Sequence, residues 1–316
     1  KKSVITFWDE LGVDGWRLDC GPDVSHEFWK EFRTCYKQLN PEGYVVGECW
    51  QHAGLWLQGD EWDGVMNYLW HDAVLSWARG GEVSSLDYKL RGIQGSYPEE
   101  AWRACLNLLG SHDTGRALTR LMDDKTRMKL AVIFQMTYPG VPCIYYGDEV
   151  GLTGGGDPEC RKTYPWEDLG GNPDMQMFEH HKKLIEIRMR YPVLRTGSLK
   201  TLKVDDGAHI YVLGRKLGDQ VAVLIYNNGS SAENVTVDLG ELAPAGTKFI
   251  DVLNENREYT AGNGLTLTTD GMWANILIGT SKAREGVGVP GGLEVLPILG
   301  GILAIVIALF FILRKK

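Results

Sequence analysis

Hydrophobic positions change period repeatedly before Pro192. Val4, Trp8 and Leu11 fall at i, i+4 and i+7, one face of a helix that Gly12 stops. Residues 13–19 then alternate, with Trp16 and Leu18 on one face of a strand and Arg17 and Asp19 on the other. Ser25 is placed to cap a second helix, with Phe28, Phe32, Cys35 and Leu39 as its apolar stripe. Asn40-Pro41-Glu42-Gly43 reads as a turn, and residues 44–48, 65–68, 105–110 and 142–147 as further strands. A long helix is predicted over about residues 125–138, broken by Pro139-Gly140, and a last one from about Asp174 to Arg190. Helices alternating with largely apolar strands are the pattern of a buried parallel sheet with helices outside it.

After Pro192 the rhythm changes to short strands bounded by turn residues: 199–204, 209–214, 221–226 and 275–278, with Asp206-Gly207 as one turn. Residues 193–280 therefore read as an antiparallel β-sandwich. Residues 281–294 are Gly-rich and polar, a flexible linker. Residues 295–313 are apolar without a charge and end on Arg314-Lys315-Lys316. At 1.5 Å per residue this run reaches across a hydrocarbon core of about 30 Å, so a single C-terminal transmembrane helix is expected there. The basic stop places that end in the cytoplasm and residues 1–290 outside, with the lipid bilayer as one partner.

The chain has 316 residues with 33 basic and 41 acidic side chains, a net charge of −8. That balance leaves no electrostatic footprint for nucleic acid. A hydrophobic fraction of 44% excludes a disordered chain. Six cysteines are too few for a disulfide-built scaffold and none has zinc-ligand spacing; no calcium-site constellation is evident either, and no metal or other cofactor is expected. Asn228-Gly229-Ser230 and Asn234-Val235-Thr236 are acceptor sequons, usable in a glycosylating compartment.

Three acidic residues sit where predicted strands end: Asp19, Glu48 and Asp113. An acid there is ordinarily a helix cap or a solvated loop charge, but in a barrel the carboxyl ends of parallel strands converge on one mouth. Arg17 shares the face of Asp19, and a guanidinium beside a carboxylate keeps it ionised, as a nucleophile requires. Glu48 ends an apolar strand and is followed by Cys49-Trp50; a carboxyl beside a large ring and out of water suits a general acid. His112 adjoins Asp113 and can hold sugar hydroxyls. A nucleophile and a proton donor flanked by a further carboxylate are the groups needed to cleave a glycosidic bond with retention. By alternation, Cys20 and Cys49 should point away from the mouth, close to one another, as small buried thiols by default with a disulfide between them as the lesser alternative.

DGWRLD (14–19), GECW (47–50) and LLGSHDT (108–114) resemble three blocks of the α-amylase family, glycoside hydrolase family 13, in the family's order. GVMNYLW (64–70) and YYGDEVGLTGGGDPECRKTYPW (145–166) resemble its neopullulanase, cyclomaltodextrinase and maltogenic-amylase subgroup. The resemblance implies that residues 1–192 are the C-terminal part of a (β/α)8 TIM barrel, about strands four to eight, and that the β-sandwich follows it. It also implies that Asp19 is the nucleophile, Glu48 the acid/base and Asp113 the transition-state stabiliser. Arg17, His112, Trp50, Asp157 and Arg161 are then the substrate-binding residues, whereas Asp148 and Glu149 are structural charges at the rim. The implied activity is hydrolysis of α-1,4 bonds in maltooligosaccharides, cyclodextrins, pullulan or starch. A transglycosylase with the same residues and a silent, membrane-tethered binding subunit are the alternatives.

Cys20-Gly21-Pro22-Asp23 departs from the subgroup's usual small residues, Asn and acid after the nucleophile. The chain starts at what resembles the helix before strand four, and five strands of eight do not close a barrel. Three further βα units are expected upstream, and the chain as it stands is expected to be inactive alone.

Overall fold

The computed structural model describes residues 3–280. Ser3 caps α1 (Val4–Asp9) by accepting from the Thr6 N–H at 3.2 Å. The face predicted for burial is exposed: Val4, Trp8 and Leu11 all face solvent. The strand β1 (Gly15–Leu18) leads to α2 (His26–Leu39), which Ser25 caps as expected. The predicted stripe on α2 is wrong by one position. Trp29 and Tyr36 are buried, whereas Phe28 and Leu39 are exposed. Trp16 fixes that rotation, because its ring packs edge-on against both Phe32 and Tyr36.

β2 (Tyr44–Gly47) and β3 (Gly64–Val65) follow, both parallel to their predecessor. The third predicted strand is cut short because Asn67 accepts from the Trp70 N–H and starts α3 (Tyr68–Ala78). α4 (Val83–Ser96) and α5 (Glu99–Ala104) come next, then β4 (Leu106–Leu108). The helices α3 and α4 had no counterpart in the periodicity. α3 buries Tyr68, Trp70, His71, Ala73, Val74, Leu75, Trp77 and Ala78 and exposes only Asp72 and Ser76, too narrow a polar side to mark a period. α6 (Ala117–Arg120) is one turn; α7 (Lys125–Thr137) is the long helix expected, capped by Asp124. β5 (Val141–Cys143) pairs in parallel with β4, and α8 (Met175–Arg190) and α9 (Val193–Thr196) end this part of the chain. A parallel bridge from Met66 to Leu106 joins β3 to β4, so β1 to β5 form one open arc in chain order.

The antiparallel part contains β6 (Lys200–Asp205), β7 (Ile210–Leu217), β8 (Gln220–Asn227), β9 (Glu233–Val237), β10 (Lys248–Asp251), β11 (Arg257–Thr260), β12 (Leu265–Thr269) and β13 (Trp273–Thr280). Six strands form one sheet in the order β11-β10-β13-β8-β7-β6, and β9 pairs with β12 beside it. β7, β8 and β13 are buried on both faces. One face, with Val212, Val223 and Ile225, meets Val235, Val237, Leu265 and Leu267 of the small sheet. The other, with Tyr211, Leu224, Tyr226 and Ile276, belongs to the same core as Phe134 and Trp77 of the helices. Residues 3–280 accordingly belong to one compact unit.

Polar side chains stitch this seam. Asn228 donates through Nδ2 to the Trp77 and Gly81 carbonyls at 2.7 and 2.8 Å. Its sequon is therefore occupied by structure, whereas Asn234 is exposed on β9. Asp87 accepts from Thr201 Oγ1 at 2.8 Å and Tyr211 Oη at 2.9 Å. The linker 281–294 and the apolar run 295–313 lie outside the described residues, among which no helix is long and apolar enough to cross a membrane.

Candidate active site

Glu48 follows β2 directly and is 5% exposed. Gly47 permits this placement, because a Cβ there would run into the Trp62 ring that packs beneath it. The Glu48 carboxylate is held on both oxygens. Oε2 accepts from the Cys20 N–H at 3.0 Å and lies 2.8 Å from Arg17 Nη2, while Oε1 accepts from Trp50 Nε1 at 3.3 Å. Arg17 also donates to Asp19 through Nη1, so one guanidinium bridges the two carboxylates. Its hydrogen bond and its charge hold the Asp19 carboxyl below the ordinary range, leaving that group ionised.

Asp19, Cys20 and Glu48 bring one oxygen or sulfur each to within 4.8 Å of one another. Those atoms could in principle ligate a cation. Arg17 already supplies the positive charge to both carboxylates, so charge balance does not call for one. The alternation argument fails for Cys20, which is exposed. Its φ of 45° turns the chain into the left-handed region and brings the thiol round toward the carboxylates. Cys49 is buried as expected, and Cys20 and Cys49 are both free thiols.

A second group gathers at the ends of β4 and β5. His112 Nε2 lies 3.0 Å from Asp113 Oδ2, and Arg161 Nη2 lies 3.2 Å from Asp113 Oδ1. Arg161 Nε donates to the His112 carbonyl at 2.9 Å and is 3.2 Å from Asp157 Oδ1. Thus Arg17, Asp19, Glu48 and Trp50 form one cluster, and His112, Asp113, Asp157 and Arg161 another.

Tyr68 and Ser111, which sequence reasoning missed, connect the clusters. The Trp50 ring stacks on Tyr68 with centroids 3.9 Å apart and planes 5° from parallel. Tyr68 Oη donates to Ser111 Oγ at 3.1 Å, and Ser111 Oγ accepts from the Asp113 N–H at 3.2 Å. Burial pushes the Tyr68 hydroxyl up to about 12, so it remains a donor across the neutral range. Both residues lie inside the motifs GVMNYLW and LLGSHDT, which was the one available signal.

Asp148 is a structural charge, but a buried one rather than a charge at the rim. It lies 3.3 Å from the fully buried Arg116, whose guanidinium sits 4.1 Å over the Tyr145 ring and 4.6 Å over Tyr146. Burial pushes the Asp148 carboxyl up to about 7, against the pull of Arg116. A Cβ on Gly110 would collide with this carboxylate, so glycine lets Asp148 sit directly behind the loop that carries Asp113.

Residues 1–188 match the family model for the alpha amylase catalytic domain. The chain belongs to the α-amylase family. It is 40% identical over 267 residues to neopullulanase 2 of Thermoactinomyces vulgaris, covering 84% of this chain and 45% of the relative. It is 41% identical over 239 residues to a cyclomaltodextrinase of Geobacillus thermopakistaniensis, covering 75% and 40%. A solved cyclomaltodextrinase structure superposes with a TM-score of 0.78 at 36% identity, covering 86% of this chain and 46% of that one. The chain thus spans about half the length of the curated relatives it matches.

Proposed function

We propose that the full-length protein hydrolyses α-1,4-glucosidic bonds of α-glucans such as maltooligosaccharides, cyclodextrins, pullulan or starch, by double displacement with retention. The observation that carries this reading is the bridged pair: carboxylate oxygens of Asp19 and Glu48 within 4.8 Å, with Arg17 bound to both. Retaining enzymes hold their two carboxyl groups about 5–5.5 Å apart, whereas inverting ones leave about 6.5–9.5 Å for a water. Asp19, ionised beside Arg17, attacks C1. Glu48, out of water, gives its proton to the leaving oxygen and then takes one from the water that releases the sugar. Asp113 and His112 hold hydroxyls of the sugar in the transition state. The names of the relatives, a neopullulanase and a cyclomaltodextrinase, support the substrate class.

The test is the anomeric configuration of the first product, read by proton NMR before mutarotation. The α-anomer is expected, and the β-anomer overturns the assignment of Asp19 as nucleophile. The same protein is proposed to be anchored by residues 295–313 with its catalytic part outside the cytoplasm. The uncharged apolar run followed by Arg314-Lys315-Lys316 supports that reading. Recovery of the untruncated protein in the soluble fraction without detergent would refute it.

A further inference from the structure

Glu48 directly follows Gly47, and Asp19 stands two residues before Gly21. The backbone knits these two strand ends together. The Glu48 N–H donates to the Leu18 carbonyl at 2.9 Å, and the Gly21 N–H donates to the Glu48 carbonyl at 3.2 Å. One ring, that of Trp62, lies against both glycines. A Cβ on Gly21 would stand 2.5 Å from Cζ2 and 2.7 Å from Cη2, and a Cβ on Gly47 would run into Cδ2, Cε3 and Cζ3. All five atoms belong to the six-membered part of the indole, so Gly47 meets one half of that ring and Gly21 the other.

Trp62 is itself held in place. Its ring stacks on Trp56 with centroids 5.2 Å apart and planes 8° from parallel. Trp56 stacks in turn on His26, whose Nδ1 lies 2.8 Å from the buried Glu61 carboxylate. Trp29 meets Trp62 edge-on and donates through Nε1 to the Gly21 carbonyl at 2.7 Å. Trp62 Nε1 makes no hydrogen bond, so this ring contributes shape alone. A close-packed interior passes the displacement of one ring on to its neighbours.

We propose that Trp62 is a positioning residue: its ring spaces the ends of β1 and β2 and thereby sets the separation of the Asp19 and Glu48 carboxylates. This rests on the reading of those two groups as nucleophile and acid/base. A misplacement of about 1 Å at a reacting group costs on the order of 10²-fold in rate. Trp62 is 1% exposed and out of reach of a sugar, so its effect should appear in kcat and not in KM.

The experiment adds a methyl on one side of this contact and removes ring atoms on the other. Full-length Gly47→Ala, Trp62→Phe and the double variant are assayed with maltohexaose. Trp62 lines a cleft of about 410 Å³ with Arg33, Leu57, Pro98 and Ala101, which gives a displaced ring room to yield. For Gly47→Ala, kcat is expected to fall roughly 10–10²-fold while KM stays within about threefold. The shorter phenylalanine vacates the place of the methyl, so the double variant is expected to turn over at least about threefold faster than Gly47→Ala. A purely structural role would lower Tm and leave kcat of the folded enzyme where it was. Crystal structures of the wild type and Gly47→Ala are expected to differ by more than about 0.5 Å in the separation of the Asp19 and Glu48 carboxylates. An unchanged kcat, no recovery in the double variant, or an unchanged separation overturns the proposal. Trp62→Phe adds no clash and decides alone should Gly47→Ala fail to fold: a fall of about tenfold in kcat at unchanged KM is expected, and an unchanged kcat overturns the proposal. If the wild-type protein cleaves no glucan, the proposed function falls; the carboxylate separation in the crystal structures still decides the role of Trp62.

Discussion

Replacing Glu48 by Gln separates the two halves of the proposed mechanism. The substitution is nearly isosteric and the geometry tolerates it. A glutamine Oε in the place of Oε2 still accepts from the Cys20 N–H and faces Arg17, and only the long hydrogen bond from Trp50 Nε1 is lost, because the amide nitrogen there is a donor facing a donor. The fold and Asp19 are therefore left in place and one proton is removed. Acid catalysis is worth about 10²–10⁴-fold, or about 3–5 kcal/mol of barrier. That loss should fall in full on maltooligosaccharides, whose leaving alcohol needs the proton. A dinitrophenyl glucoside leaves without it, so its first step should lose less than about tenfold. Its second step still lacks the base, so a glycosyl-enzyme should accumulate on Asp19 as a burst of dinitrophenolate. Azide, which needs no base, should restore turnover and yield the α-glucosyl azide. Rapid-mixing absorbance and product NMR read both effects. Equal losses on the two substrates, with no azide rescue, would refute the acid/base role of Glu48.

Asp19→Asn should abolish turnover of both substrates and leave no glycosyl-enzyme detectable by intact-mass spectrometry; retained activity on the activated glucoside would argue for another nucleophile. His180, half-buried on α8 with Nε2 3.0 Å from the Lys129 carbonyl, is pushed down to about 4 by desolvation. The unfolded chain takes up that proton near pH 6.5, so the contribution of His180 is complete above pH 6.5 and is lost as pH falls toward 4, at most about 1.4 kcal/mol per pH unit. His180→Gln should flatten the fall of Tm with acid in that window, and an unchanged slope counts against it. Asn228→Ala leaves the Trp77 and Gly81 carbonyls without their donor, which should cost about 2–4 kcal/mol and lower Tm by roughly 5–10 °C. The exposed Asn234→Ala, measured beside it, should stay within about 0.5 kcal/mol.

What the sequence disclosed, and what it hid, follows from how each residue is surrounded. α7 and α8 were legible because Asp124 and Asp174 mark their starts and Pro139-Gly140 and Pro192 their surroundings. α3 was not, since a helix whose polar side is only Asp72 and Ser76 offers little contrast to read. The rotation of α2 depended on where Trp16 of another element comes to lie, which is tertiary information. In the site, Arg17 and Asp19 could be paired by strand alternation alone. The exposure of Cys20 could not, because it depends on one left-handed residue that breaks the alternation. The union of the two clusters through Tyr68 and Ser111 joins residues 43 apart and has no local signature.

The antiparallel sheet acts on the site through the approach to β5. Arg215 of β7 is fully buried and donates to the carbonyls of Thr137, Leu194, Gly197 and Ser198. Arg188 of α8 donates to Met136, Tyr138, Leu194 and Gly140. Burial lowers both, to about 9 and about 10, yet each keeps its proton at neutral pH. Two cations thus meet the carbonyls at the C-terminal end of α7, where the helix dipole is negative and the chain has run out of partners for them. The residue after the last of these carbonyls, Val141, opens β5, and β5 leads directly to Tyr145, Tyr146 and Asp148. The direction in which the β5 loop leaves the sheet, and with it the reach of Arg161 to Asp113, is therefore set in part from β7. A strand of the antiparallel sheet, remote in sequence from the three carboxylates, helps to shape the loop that borders the third one.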